Sequence, residues 1–203
     1  MKTTIFLIRH GETDWNVQKR IQGQLGDSKL TDNGKEQANA LKDELASIRF
    51  DAVYSSPLGR ALETARIALP GADIRIDESL TERFFGKLEG MTRKEVKEKY
   101  PELQKAKEET GSTPYFEGSE RLEDIGKRGM GFLEEVVNKN PGKTIAVFSH
   151  GGIMEAIMAG LHGLPITEKG RFEHDPCGYS IIEYENEKGK FTVKVLNHTS
   201  HLK

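Results

Sequence analysis

Two segments place a histidine and a glycine directly after a short aliphatic run. Arg9-His10-Gly11-Glu12-Thr13 follows residues 3–8, and Ser149-His150-Gly151-Gly152 follows residues 144–148. A third run, residues 51–54, ends in Ser55-Ser56-Pro57 and leads to Arg60; Glu82 follows a further short run at 74–76. Together these residues suit chemistry at phosphorus. A neutral imidazole can attack phosphorus and carry it covalently. A second imidazole can hydrogen-bond the non-bridging oxygens, and a carboxyl group can protonate the departing oxygen. Two guanidiniums offer planar, permanently charged forks that match a phosphoryl group. Glycine after each histidine removes bulk and lets backbone N–H groups approach an anion. Phosphoryl transfer depends mainly on positioning and charge neutralisation, and this set provides both with neither a metal nor another cofactor.

Such residues converge only if the elements bearing them are parallel neighbours. The runs at 3–8, 51–54 and 144–148 are too short for helices and read as strands buried on both faces. Between the first two, Thr31 is a candidate N-cap for a helix with Ala38, Leu41, Leu45 and Ile48 on one face. Ser56 and Pro57 are expected to open the next helix, which continues to about Leu69. Two short helices are expected either side of Pro101, a longer one opened by Ser119, and another over 153–161. Residues 179–184 and 191–196 read as strands joined by a Lys188-Gly189 turn. Strands alternating with helices predict a three-layer α/β/α sandwich with a mostly parallel central sheet, in which ligands sit beyond the carboxyl ends of the strands.

Composition narrows the partners. The 203 residues carry 30 Lys+Arg and 32 Asp+Glu, a formal net charge of −2, so a general nucleic-acid binder is not expected. No apolar run approaches the roughly 20 residues that a membrane helix needs. Met1 to Ile8 reads as a strand and not as a signal peptide. With Cys177 the single cysteine, the expectation is a reduced, soluble, cytoplasmic protein forming one domain over 1–203.

The Arg9–Thr13 motif, followed by Trp15-Asn16, resembles the signature of the histidine phosphatase superfamily, the phosphoglycerate-mutase-like clan. The likeness continues through Gln22-Gly23, Leu30-Thr31, Ser55-Ser56-Pro57-Leu58, Arg60-Ala61, Glu82, Glu89-Gly90 and Ser149-His150-Gly151-Gly152, covering nearly the whole chain. It implies a metal-independent phosphatase of small phosphorylated metabolites in the broad-specificity branch. His10 resembles the phosphorylated nucleophile, Arg9 and Arg60 the phosphate clamp, His150 the steadying histidine, and Glu82 the proton donor. Asn16, Gln22, Gly23 and Gly151 resemble further phosphate or substrate contacts, although Asn16 could equally belong to a helix cap. Arg83 matches a mutase position that contacts an acidic substrate group. A homodimer is compatible with the resemblance.

Two departures bear on specificity. Many relatives carry Ile-Arg after the second histidine motif, where this chain has Ile153-Met154-Glu155; Glu155 is expected on the helix surface. The mutases' longer segments are absent, with Gln22-Gly23-Gln24-Leu25-Gly26-Asp27 in place of one of them. Phosphatase is therefore favoured over a 2,3-bisphosphoglycerate-dependent phosphoglycerate mutase or a weakly catalytic phospho-ligand-binding module. Residues 84–118 are expected to form a lid that selects the substrate, with Phe84, Phe85, Met91, Tyr115 and Phe116 as its apolar lining. His174 and Cys177 make too poor a ligand set for a metal, and His198 and His201 are expected to close the last strand and tail without chemistry.

Overall fold

The computed structural model describes residues 1–26, 28–110, 114–165 and 171–203. Asp27 and the 111–113 part of the expected lid lie outside them. The chain runs β1 (Lys2–Arg9), α1 (Asp14–Val17), α2 (Asp32–Leu45), β2 (Ala52–Ser55), α3 (Gly59–Ala68) and β3 (Ile74–Ile76). It continues through α4 (Arg93–Lys99), α5 (Pro101–Thr110), α6 (Leu122–Lys139), β4 (Thr144–Ser149), α7 (Gly151–Leu161), β5 (Tyr179–Glu185) and β6 (Lys190–His198).

The six strands form one sheet in the order β3-β2-β4-β1-β5-β6. β3, β2, β4 and β1 pair in parallel, and β5 joins antiparallel to both β1 and β6. Successive side chains point to opposite faces of a strand, so the aliphatic runs supply two cores at once. Ile5, Leu7, Ile145 and Val147 pack with α6 and α7, while Phe6, Ile8, Ala146 and Phe148 pack with α2 and α3. This is the expected mostly parallel α/β sandwich. Among the described residues, no helix is long and apolar enough to cross a membrane.

Thr31 caps α2 as expected, its hydroxyl accepting from the Gly34 N–H at 2.9 Å. Two helix starts differ from expectation. α3 begins at Gly59 after Leu58, because the Ser56 hydroxyl is engaged in the preceding turn, accepting from Leu58 N–H at 3.2 Å and meeting His150 Nε2 at 2.8 Å. α6 begins at Leu122 after Arg121; Ser119 instead closes a loop, accepting from Phe116 N–H and donating to Phe116 C=O.

Candidate active site

β1 and β4 are hydrogen-bonded neighbours in a register that sets Arg9 opposite Ser149. The next residue on each strand is a histidine, and the two ring centroids lie 5.2 Å apart. Arg60 arrives in the first turn of α3, and Glu82 from the loop beyond β3. Arg9, His10, Arg60, Glu82 and Gly151 all line one cavity of about 570 Å³ at the carboxyl edge of the sheet, as do Asn16, Gln22 and Gly23. His150 is wholly buried behind His10.

Each histidine is held in a defined state. His10 Nδ1 donates to the Gly11 carbonyl at 2.7 Å, leaving the lone pair on Nε2. Burial, reinforced by the Arg60 and Arg9 charges, pushes His10 well below the ordinary imidazole pKa, so the ring is neutral near pH 7. His150 is depressed in the same way, by burial first and then by Arg60, His10 and Arg9. Its Nε2 meets Ser56 Oγ, which already accepts from Leu58. With the Ser56 hydroxyl donating to Nε2, the ring proton of the neutral His150 lies on Nδ1.

The two arginines are anchored by carbonyls, Arg9 by His174 and Arg60 by Gly23 at 2.8 Å. Burial lowers the pKa of Arg9, and lowers that of Arg60 to about 10, still far above neutrality. Arg9 Nε, Arg60 Nε and His150 Nδ1 are buried and unpartnered. A buried donor without a partner costs about 1–3 kcal/mol, more when charged. Three such donors around one neutral imidazole make a cradle whose natural occupant is a tetrahedral oxyanion. Gly23 sits at φ +60°, where a Cβ would run into the Glu89 carboxylate, so any larger residue displaces the carbonyl that orients Arg60.

The Glu82 carboxylate accepts from the Arg83 N–H at 2.8 Å and the Gly152 N–H at 3.0 Å, which aims it at the mouth of the cradle. A half-buried arginine missed by sequence reasoning holds this loop. Arg128 of α6 donates to the carbonyls of Ser79, Thr81 and Glu82 at 2.8, 2.6 and 3.0 Å, and pairs with Glu120 at 2.7 Å. No local pattern marks Arg128 as the holder of this loop, because the three carbonyls it meets lie 46 to 49 residues earlier in the chain. Arg128→Ala should cost about 3 kcal/mol of stability, as expected for breaking a largely buried pair. It should also lower kcat more than it raises KM; calorimetry with steady-state kinetics checks both.

Other expected roles divide. Asn16 completes a capping box, its Oδ1 accepting from Thr13 N–H and Oγ1–H, and it also lines the cavity. Gln22 accepts from Ser28 through its carbonyl at 2.8 Å. The Gly11 N–H is taken by Thr64 at 3.0 Å, and a Cβ there would stand 2.6 Å from the Gly34 carbonyl. This glycine allows the close approach of α2, and its N–H is already engaged by Thr64. Arg83 is not brought into the cavity. It is fully buried, bonded to the Glu120 and Pro114 carbonyls and lying over the Phe85 ring. Glu155 was expected on the helix surface; it lines the cavity instead, where its charge acts on Arg9. Of the five apolar lid candidates Phe85 reaches the cavity, joined by Trp15, Ile21, Leu88, Val96 and Leu103. His174 is a structural histidine, bonded to Phe172 C=O and Ser180 Oγ.

The family model of the histidine phosphatase superfamily (branch 1) matches residues 5–199. The chain is 35% identical over 200 residues to Phosphoserine phosphatase 1 of Hydrogenobacter thermophilus, covering 98% of this chain and 93% of that protein. It is 38% identical over 160 residues to the metal-independent phosphoserine phosphatase of Arabidopsis thaliana, covering 76% and 67%. The crystal structure of phosphoserine phosphatase from Entamoeba histolytica in complex with 3-phosphoglyceric acid matches with a TM-score of 0.87 at 31% identity, covering 99% of this chain and 100% of that one. The chain belongs to the histidine phosphatase superfamily. It is a phosphoric monoester hydrolase.

Proposed function

We propose that the chain is a metal-independent phosphatase of small organic phosphate monoesters that works through a phosphohistidine on His10. The observation carrying this reading is the set of three unpartnered buried donors, Arg9 Nε, Arg60 Nε and His150 Nδ1, around a neutral imidazole. His10 Nε2 forms a bond to phosphorus as the ester P–O bond breaks, and Glu82 gives its proton to the departing oxygen. Glu82 then takes a proton from water as that water attacks phosphorus, the N–P bond breaks, and inorganic phosphate leaves. The charge developing on the non-bridging oxygens is met by Arg9, Arg60 and His150. Asn16, Gln22, Gly23 and Gly151 complete the rim nearest the phosphate.

The test is hydrolysis of p-nitrophenyl phosphate in EDTA, with acid-quench trapping of labelled protein. Sustained phosphate release with an acid-labile, alkali-stable label is expected. Absence of turnover across a panel of sugar phosphates, phosphoserine, phosphoglycerates and aromatic phosphates would favour the binding module instead. Glu82→Gln should slow substrates with poor leaving groups at least about tenfold more than p-nitrophenyl phosphate, whose phenolate needs little protonation. Equal losses on both would assign the acid elsewhere.

Residues 84–118 are proposed as the specificity segment, supported by Phe85, Leu88, Val96 and Leu103 on the cavity wall. Phosphoserine is the first substrate to try, because relatives carry that activity in their names. The mutase alternative rested on His10 and Arg83 together, and the burial of Arg83 away from the cavity removes one of these supports. A reducing cytoplasmic setting suits Cys177, a free and fully buried thiol whose pKa burial raises to about 12.

A further inference from the structure

A second group of ligating side chains comes together at the C-terminal turn, away from the cradle. Glu44 ends near the C-terminus of α2, His198 is the last residue of β6, and His201 lies in the closing 3-10 turn, Ser200–Leu202. One ligand atom from each of the three lies within 4.8 Å of the others. The His198 and His201 rings are nearly parallel, 8° apart in orientation.

Three features prepare this cluster for a cation. First, His201 Nε2 donates to the Cys177 carbonyl at 3.2 Å, which leaves the lone pair on Nδ1, and that atom is buried without any partner. A backbone carbonyl on the far nitrogen is the usual device that fixes the tautomer of a metal-bound histidine. Second, the Tyr179 hydroxyl donates to Glu44 Oε1 at 3.0 Å, orienting the carboxylate from behind. Third, His198 Nε2 stands 3.2 Å from that same Glu44 oxygen. Ligands at the usual Zn–N and Zn–O distances of a tetrahedral site are about 3.3–3.4 Å apart, so this pair already has the required spacing. The third donor lies within 4.8 Å of the other two, so drawing it in takes a side-chain shift of at most about 1.5 Å.

We propose that Glu44, His198 and His201 form a binding site for a divalent transition-metal ion of the zinc type, which fastens the C-terminal turn to α2. Two imidazole nitrogens and one carboxylate select zinc, cobalt or nickel over calcium and magnesium, which favour oxygen alone. The metal displaces the contact between Ser200 Oγ and His198 Nε2, 2.6 Å in this structure, and a water can take the fourth position. The site takes no part in phosphoryl transfer, so it stands or falls separately from the phosphatase reading.

The experiment is a visible-absorption titration of the full chain with Co²⁺, with Zn²⁺ as competitor, beside thermal melts with and without Zn²⁺. The wild type should bind one equivalent more than Glu44→Gln or His201→Ala, each of which should weaken that site at least tenfold. At about one hundred times Kd, mass action should raise Tm by roughly 5–10 °C in the wild type and not in the variants. Glu44→Gln preserves shape and the Tyr179 hydrogen bond, so it decides the question if His201→Ala does not fold. Equal uptake by wild type and Glu44→Gln, or no ligand-field band at all, would overturn the proposal. Turnover of p-nitrophenyl phosphate in EDTA, measured on the same samples, reports independently on the catalytic reading.

Discussion

His10→Ala is expected to bring monoester hydrolysis to background and to remove the acid-labile label. Among the described residues lining the cavity, none replaces His10 in the proposed covalent route. His150 is wholly buried, with its Nε2 engaged by Ser56, and Glu82 is tied to two backbone N–H groups. By comparison with removal of a nucleophile from a catalytic triad, the loss in kcat should be on the order of 10⁵–10⁶. Phosphate and vanadate should still bind, because Arg9, Arg60 and His150 remain. Quench-flow labelling and isothermal titration with phosphate test the two halves of this expectation, and a variant with near-normal turnover would end the mechanism. The wild-type pH profile carries a related signature. Because the folded site lowers the pKa of His10, its lone pair stays available below the usual imidazole range as pH falls. The acid limb of kcat/KM assigned to His10 should therefore lie below pH 6.5, the ordinary imidazole value.

Arg60→Ala should cost about 10²–10³ in kcat, the range seen when one preorganised donor to a developing oxyanion is removed. Arg60 is 2% exposed, its guanidinium anchored by the Gly23 carbonyl and its Nε without a partner. In the proposed mechanism its contribution is made to charge that grows in the transition state, so kcat should fall further than KM rises. Arg60→Lys should recover little, since an ammonium is a point charge and cannot both hold the Gly23 carbonyl and present a planar fork. Arg66, two turns along the same helix and exposed, provides the control: Arg66→Ala should leave turnover within about twofold. A change under threefold in Arg60→Ala would place Arg60 outside the clamp.

Much of this enzyme could be read from residue order. Strands buried on both faces declare themselves as aliphatic runs, and the residues that end them are set by the same local pattern. The convergence of His10, His150 and Arg60 followed from placing three such runs side by side. The Thr31 cap and the Lys188-Gly189 turn are likewise contacts between near neighbours. Helix starts were less legible where a hydroxyl had another partner: Ser56 is drawn off by His150, 94 residues away, and Ser119 by Phe116, three residues away.

What only the tertiary structure decided is which way the side chains of the connecting segments face. Arg83 sits one residue from Glu82, yet the Glu120 and Pro114 carbonyls turn it into the interior. Glu155 is carried into the cavity by the packing of α7, whose apolar residues leave no face of the helix clearly marked for solvent. Arg128 and the Glu44–His198–His201 cluster are assembled from positions far apart in the chain. Hydrophobic periodicity reports burial along one element; it carries no information about which distant carbonyl or carboxylate a polar side chain will meet.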